Sequence, residues 1–125
     1  MPSTVETLTI DCAHPEEIAR FWAAALGYEV KEVEEDAAEV VDPHGRGWPL
    51  LFIVVPEGKA VKNRVHLDLR PPVSMAAEVA RLKALGANEQ RFVEEGGSFW
   101  TVMQDPEGNE FCVLRGPQDG WSPDA

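Results

Sequence analysis

The chain has 125 residues, 22 of them acidic and 11 basic, for a formal charge of −11. A chain this long fits one compact domain or two tightly packed halves, and it can bury about two-thirds of its unfolded surface without a disulfide or structural metal. The acidic excess excludes nucleic acid and anionic membrane surfaces as partners and favours cationic ligands by long-range attraction.

No apolar run approaches the length of a membrane span. The start, MPSTVETLTID, lacks a basic region followed by an apolar run, so the chain reads as cytoplasmic. Cys12 and Cys112 have no CxxC spacing and read as small thiols in a reducing compartment.

In chain order, VETLTIDC predicts a first strand. HPEEIARFWAAALG, residues 14–27, predicts a helix with Pro15 in its first turn, Ile18, Phe21, Trp22 and Ala25 on one stripe, and Gly27 closing it. Three strands follow, YEVKEVE, AEVVD and LLFIVV, the last two joined through DPHG at 42–45. NRVHLDLR then predicts a strand. VSMAAEVARLKALGA, residues 73–87, predicts a helix with Ser74 as N-cap, Val79, Leu82 and Leu85 inward, and Gly86 at its end. NEQRFVE, FWTVMQD and EFCVL complete the series, with DPEG at 105–108 before the last. The acidic runs KEVEED and FVEEGG read as solvated strand edges that discourage sheet-to-sheet aggregation.

The plan is written twice. The two helices share AR followed by ALG at an offset of 59 residues, and the DPxG turns recur at an offset of 63. We read a single domain, 1–125, of class α+β, with module one at about 4–56, module two at about 63–115 and a tail at 116–125. The tail is rich in Pro and Gly, and its Trp121 has three possible fates: an anchor on a partner, a cover over a binding cup, or disorder.

Strand alternation assigns faces. Leu8, Ile10 and Cys12 go with the helix and Thr7, Thr9 and Asp11 with the other face. In the second module Val65, Leu67 and Leu69 go with the helix, and His66, Asp68 and Arg70 oppose them. In the last strand Phe111 and Val113 fit the helix side, leaving Glu110, Cys112 and Leu114 on the other. His66 and Glu110 are therefore the candidates for proton transfer. Thr9, Asp11, Phe52, Asp68, Trp100 and Cys112 are the candidates for contact with a ligand, the aromatic rings forming walls for a planar or apolar molecule. Cys112 has no evident cationic neighbour and also fits a packed thiol.

The helix ending in FWAAALGYEV, the turn VVDPHGRG, the RVHLDLR strand, the second ALGA and WTVMQDPEGNEFCVL together resemble the glyoxalase-like branch of the vicinal oxygen chelate superfamily, to about residue 115. This superfamily unites glyoxalases, bleomycin resistance proteins and extradiol dioxygenases. The resemblance implies two βαβββ modules forming a cupped mixed β-sheet, and usually a homodimer. Metal-binding members draw ligands from the first and last strands of each module, which here fall on Thr7, His66, a position near Phe52, and Cys112. Such members usually carry a glutamate four residues past the turn glycine. Here that position is Cys112, and Glu110 stands two residues earlier, roughly 6–7 Å away along the strand. The resemblance thus implies a small organic ligand bound with no cofactor, with a divalent metal (Zn, Ni, Mn or Fe) as the alternative. The corresponding enzymatic reading is a lyase or isomerase that uses His66 and Glu110 as acid and base or as metal ligands.

Overall fold

The structure is a computed structural model that describes residues 1–124; position 125, the last of the predicted tail, lies outside them. Two compact units divide the chain, one spanning Met1–Gly58 and the other running from Lys59 onward. Both have the same plan. The first contains β1 (Leu8–Cys12), α1 (Pro15–Leu26), β2 (Glu29–Val33), β3 (Ala37–Val41) and β4 (Leu50–Val54). The second contains β5 (Asp68–Leu69), α2 (Met75–Leu85), β6 (Asn88–Glu95), β7 (Ser98–Gln104), β8 (Glu110–Val113) and a 3-10 turn, Pro117–Asp119. Sheet one has the order β1-β4-β3-β2 and sheet two the order β5-β8-β7-β6, each with a single parallel pair, β1 with β4 and β5 with β8. The fold is α+β, two βαβββ modules with a mixed four-stranded sheet apiece.

Local chemistry explains the helix ends. Pro15 opens α1, and Gly27 closes it in the left-handed region at φ 71°, where a side chain would be strained. The Ser74 hydroxyl accepts from the amide of Ala77 at the start of α2. A second cap reaches α2 from the tail, because the Asp119 carboxylate accepts from the amides of Met75 (2.6 Å) and Gly116 (2.9 Å). A carboxylate there also complements the helix dipole. Gly116 is required for this docking, since a Cβ on it would meet the Val73 carbonyl oxygen at 2.5 Å. Trp121 lies with its ring 4.1 Å from the Arg70 guanidinium, so the tail is held by its own unit.

Each module buries one sheet face under its helix. In the first, Ile18, Phe21 and Trp22 of α1 are buried together with Ala38, Val40, Leu50 and Phe52 of the sheet. In the second, Val79 and Leu82 of α2 are buried with Thr101, Met103, Phe111 and Val113. Three expectations change here. Leu85, placed inward, is 38% exposed, because α2 buries only two of its large apolar side chains. Val65 is also exposed, and the strand expected over NRVHLDLR contracts to Asp68–Leu69, where the ladder with β8 exists. Phe52, a candidate ligand contact, is fully buried in the core of module one, on the same side as Leu50 and opposite Ala38.

The repeated DPxG turns are organised by their aspartates. Asp42 accepts from the amides of His44, Arg46 and Gly47, and Asp105 accepts from the amides of Glu107 and Asn109 and from the Asn109 side chain. Asp105 is entirely buried, whereas Asp42 is partly exposed. Replacing Asp105 by Ala is therefore expected to lower the unfolding free energy by about 3 kcal/mol, since buried donors lose their acceptor. The equivalent change at Asp42 is expected to do distinctly less, because water can replace the carboxylate; urea denaturation of the two variants checks the difference.

Candidate functional site

Sheet two has a second face, turned away from α2, and the register says which side chains share it. Asp68 pairs with Cys112, Cys112 with Val102, and Val102 with Arg91, so these four form one row across β5, β8, β7 and β6. Directly opposed residues of a sheet point to the same face. The next rows add Glu110 opposite Gln104, and Trp100 opposite Val93. Val102 and Cys112 form a buried floor, while Asp68, His66 and Arg91 stand exposed around it.

His66 and Asp68 meet at one end of the row, with His66 Nδ1 3.4 Å from Asp68 Oδ1. His66, Asp68 and Cys112 offer ligand atoms that all lie within 4.8 Å of one another, a group with the composition of a metal site. The Cys112 thiol donates to Asp68. Burial pushes its pKa above the ordinary value and the Asp68 charge adds to this, while Lys62 and Arg91 pull the other way. Two cations thus lie within electrostatic reach of Cys112, where none was evident in the sequence. Of the four positions from which the superfamily takes its metal ligands, Thr7 offers a hydroxyl and Phe52 a buried ring with no donor, so the usual set is not present.

Glu110 stands apart from that group. Its carboxylate accepts from the amide of Asn63 (2.8 Å) and the ammonium of Lys59 (3.0 Å), with Gln104 Nε2 at 3.5 Å. Burial raises its pKa, but the Asn63 and Lys59 hydrogen bonds overcome this and hold the carboxyl at about 2. A carboxylate so engaged is a clamp. It fastens the segment 59–63 to the start of β8, and Asn63 Nδ2 adds a bond to Asn109 Oδ1 (3.1 Å).

Thr9 and Asp11 lie exposed on the uncovered face of sheet one, in the other unit. Trp100 lies in sheet two on the same face as Cys112. Sequence reasoning missed Lys59, Lys62, Asn63 and Arg91. The first three lie in a loop without periodicity. Arg91 follows a bulge between Glu89 and Arg91, which shifts the alternation by one residue and turns Arg91 to the site face.

A family profile described as "Glyoxalase-like domain" matches residues 7–114. The chain belongs to this family. Glyoxalase-like folds also appear among similar solved structures. Fosfomycin resistance protein FosX from Listeria monocytogenes, in complex with Mn(II) and 1S,2S-dihydroxypropylphosphonic acid, is 13% identical, with TM-score 0.75 over 95% of this chain and 96% of that one. A glyoxalase/bleomycin resistance protein/dioxygenase family enzyme from Burkholderia phytofirmans is 16% identical, with TM-score 0.70 over 86% and 94%. A glyoxalase-related enzyme from Fulvimarina pelagi is 19% identical, with TM-score 0.65 over 91% and 90%. At these identities the likeness shows the fold alone. No curated protein matches the chain. Among the described residues no helix is long and apolar enough to cross a membrane.

The Glu110 clamp has a defined pH signature. Its folded pKa lies below the ordinary 4.5, so its contribution to stability is complete above that value and is lost as pH falls toward about 2. Glu110→Gln is expected to be less stable than the parent by about 1–3 kcal/mol at neutral pH. Chemical denaturation across pH should show this difference shrinking through the acid window.

Proposed function

We propose that this glyoxalase-like protein binds a small organic ligand on the far face of its second sheet, without the divalent metal common in its superfamily, as a cytoplasmic homodimer. The observation that carries this reading is the make-up of that face: a buried floor of Val102 and Cys112, Trp100 beside it, and a rim of His66, Asp68, Arg91 and Gln104. An apolar floor with a few polar groups at its edge suits a small molecule held in a fixed orientation. The donor set favours metal-free binding: of the four positions from which the superfamily takes its ligands, Thr7 offers only a hydroxyl and Phe52 a buried ring, which leaves His66 and Cys112. Cys12 and Cys112 are both buried and not joined in a disulfide, which accords with a reducing compartment.

Protein purified without a metal-affinity step is expected to contain substoichiometric Zn, Ni, Mn and Fe, and to bind its ligands equally well before and after chelator. One equivalent of any of these metals in elemental analysis would overturn metal-free binding. In a thermal-shift screen of aromatic compounds, thiol adducts and acyl thioesters, a ligand at one hundred times its Kd is expected to stabilise the fold by about 2.7 kcal/mol. Trp100→Ala is expected to reduce that shift. Light scattering on the eluting protein tests the dimer, with a monomer mass as the contrary result.

The His66–Asp68 pair favours a second reading, a lyase or isomerase. A histidine beside a carboxylate is oriented and charge-supported for proton transfer. In this version His66 is the base, and Glu110, held at about 2 and occupied by Lys59 and Asn63, acts as a positioning residue. His66→Ala is expected to abolish turnover while leaving the melting temperature within a few degrees of the parent. Undiminished turnover in that variant rules His66 out as the base.

A further inference from the structure

The family profile ends at residue 114, and the chain beyond it is held by contacts of its own. The Asp119 carboxylate caps α2, the Gln118 amide donates to the Val73 carbonyl, and Gly116 packs where a side chain would not fit. The ring of Trp121 then lies on the Arg70 guanidinium, with Cζ 4.1 Å from the ring centroid. The same guanidinium donates from Nη1 to the Arg115 carbonyl at 2.7 Å, so the stack stands beside the end of β8. The register says what lies next to it. Leu69 pairs with Val113 and the Leu114 amide donates to the Leu69 carbonyl, which sets Arg70 beside Leu114 one step further on. Val113 pairs with Thr101, which sets Leu114 beside Trp100, and Trp100 pairs with Val93. Arg70, Leu114, Trp100 and Val93 therefore form the next row of the far face after Asp68, Cys112, Val102 and Arg91. Leu114, Trp100, Val93 and Trp121 are all half-buried.

We propose that the Arg70–Trp121 stack and Trp100 are the two walls of an aromatic slot floored by Leu114, and that the ligand enters it with a flat, electron-rich aromatic ring. This rests on the small-molecule reading above and names its ligand class. Only β8 separates β5 from β7, which puts the backbones of Arg70 and Trp100 about 10 Å apart. A ring stacked on both faces needs about 7 Å between its neighbours, twice the usual carbon contact distance. Indole and guanidinium both stack on aromatic faces, and the positive guanidinium favours a ring rich in electrons. A saturated ring of the same outline buries a similar area but gains neither of these attractions. The Asp68–Cys112 row lies about 7 Å away along the strands, within reach of a hydroxyl on a two-ring ligand. The docked tail thus supplies a binding wall that the family's matched region, 7–114, does not contain.

The test uses the full chain with 2-naphthol and its saturated counterpart, decahydro-2-naphthol, as probes, read by calorimetry. The parent is expected to bind naphthol about tenfold more tightly than the saturated alcohol. In Trp121→Ala the two are expected to bind alike, with the melting temperature retained because Asp119 and Gln118 still dock the tail. Trp48→Ala, which removes an exposed ring of the other unit, is expected to keep the full preference, and its loss there overturns the slot. Leu114→Trp fills the slot from its floor and is expected to abolish naphthol binding, which decides the matter even if Trp121→Ala fails to fold. Equal binding of the two alcohols by the parent overturns the slot and leaves the small-molecule reading standing. So does naphthol binding that survives undiminished in Trp121→Ala or in Leu114→Trp. If neither alcohol binds the parent, the slot and the small-molecule reading for aromatic ligands fail together.

Discussion

A carboxylate withdrawn from most of its water must find donors, and in the second unit Glu110 finds a backbone amide and an ammonium that no periodic pattern places near it. Its side chain is only 13% exposed, and its partners Asn63 and Lys59 lie 47 and 51 residues away in sequence. That contact fixes the path of the segment leading into β5. The segment delivers His66 and Asp68 to the edge of the sheet. Without the clamp, a β5 of two residues would have little else to hold its approach.

The duplication is exact in topology and divergent in chemistry. Both modules repeat the same strand order, one parallel pair and an aspartate-centred turn before the last strand or the strand pair it feeds. The helices also cover their sheets unequally. In module one, α1 buries a run of large side chains, and Phe52 is absorbed into that core. In module two, α2 buries two, and the helix leans instead on Ser74, Asp119 and the docked tail. The far face of sheet two holds a thiol, a histidine, carboxylates and cations together.

Electrostatics in this protein must be read at two scales. The overall charge governs long-range attraction and falls off within about a Debye length, ~10 Å at moderate salt. Within the site, pairing decides. Glu110 is matched by Lys59, and Asp68 stands beside His66.

The sequence by itself determined the doubled βαβββ plan, the helix limits at Pro15, Gly27, Ser74 and Gly86, the turn chemistry at Asp42 and Asp105, and the family. All of these arise from short-range rules: a ring that sets φ, a glycine that accepts the left-handed region, a hydroxyl or carboxylate within reach of nearby amides. Alternation also assigned Asp68, Glu110 and Cys112 to one face correctly, because the ladder of β8 with its neighbours is regular there. Only the tertiary structure decided that Phe52 is core, that Glu110 is a clamp, that Trp121 docks on Arg70, and that Arg91 joins the cross-strand row of Cys112. Those outcomes depend on which side chains fill the space under a helix, on a loop held by contacts far apart in sequence, and on a bulge that reverses the facing of every residue after it. A period of two carries no information about any of these, since it describes a strand before it has neighbours.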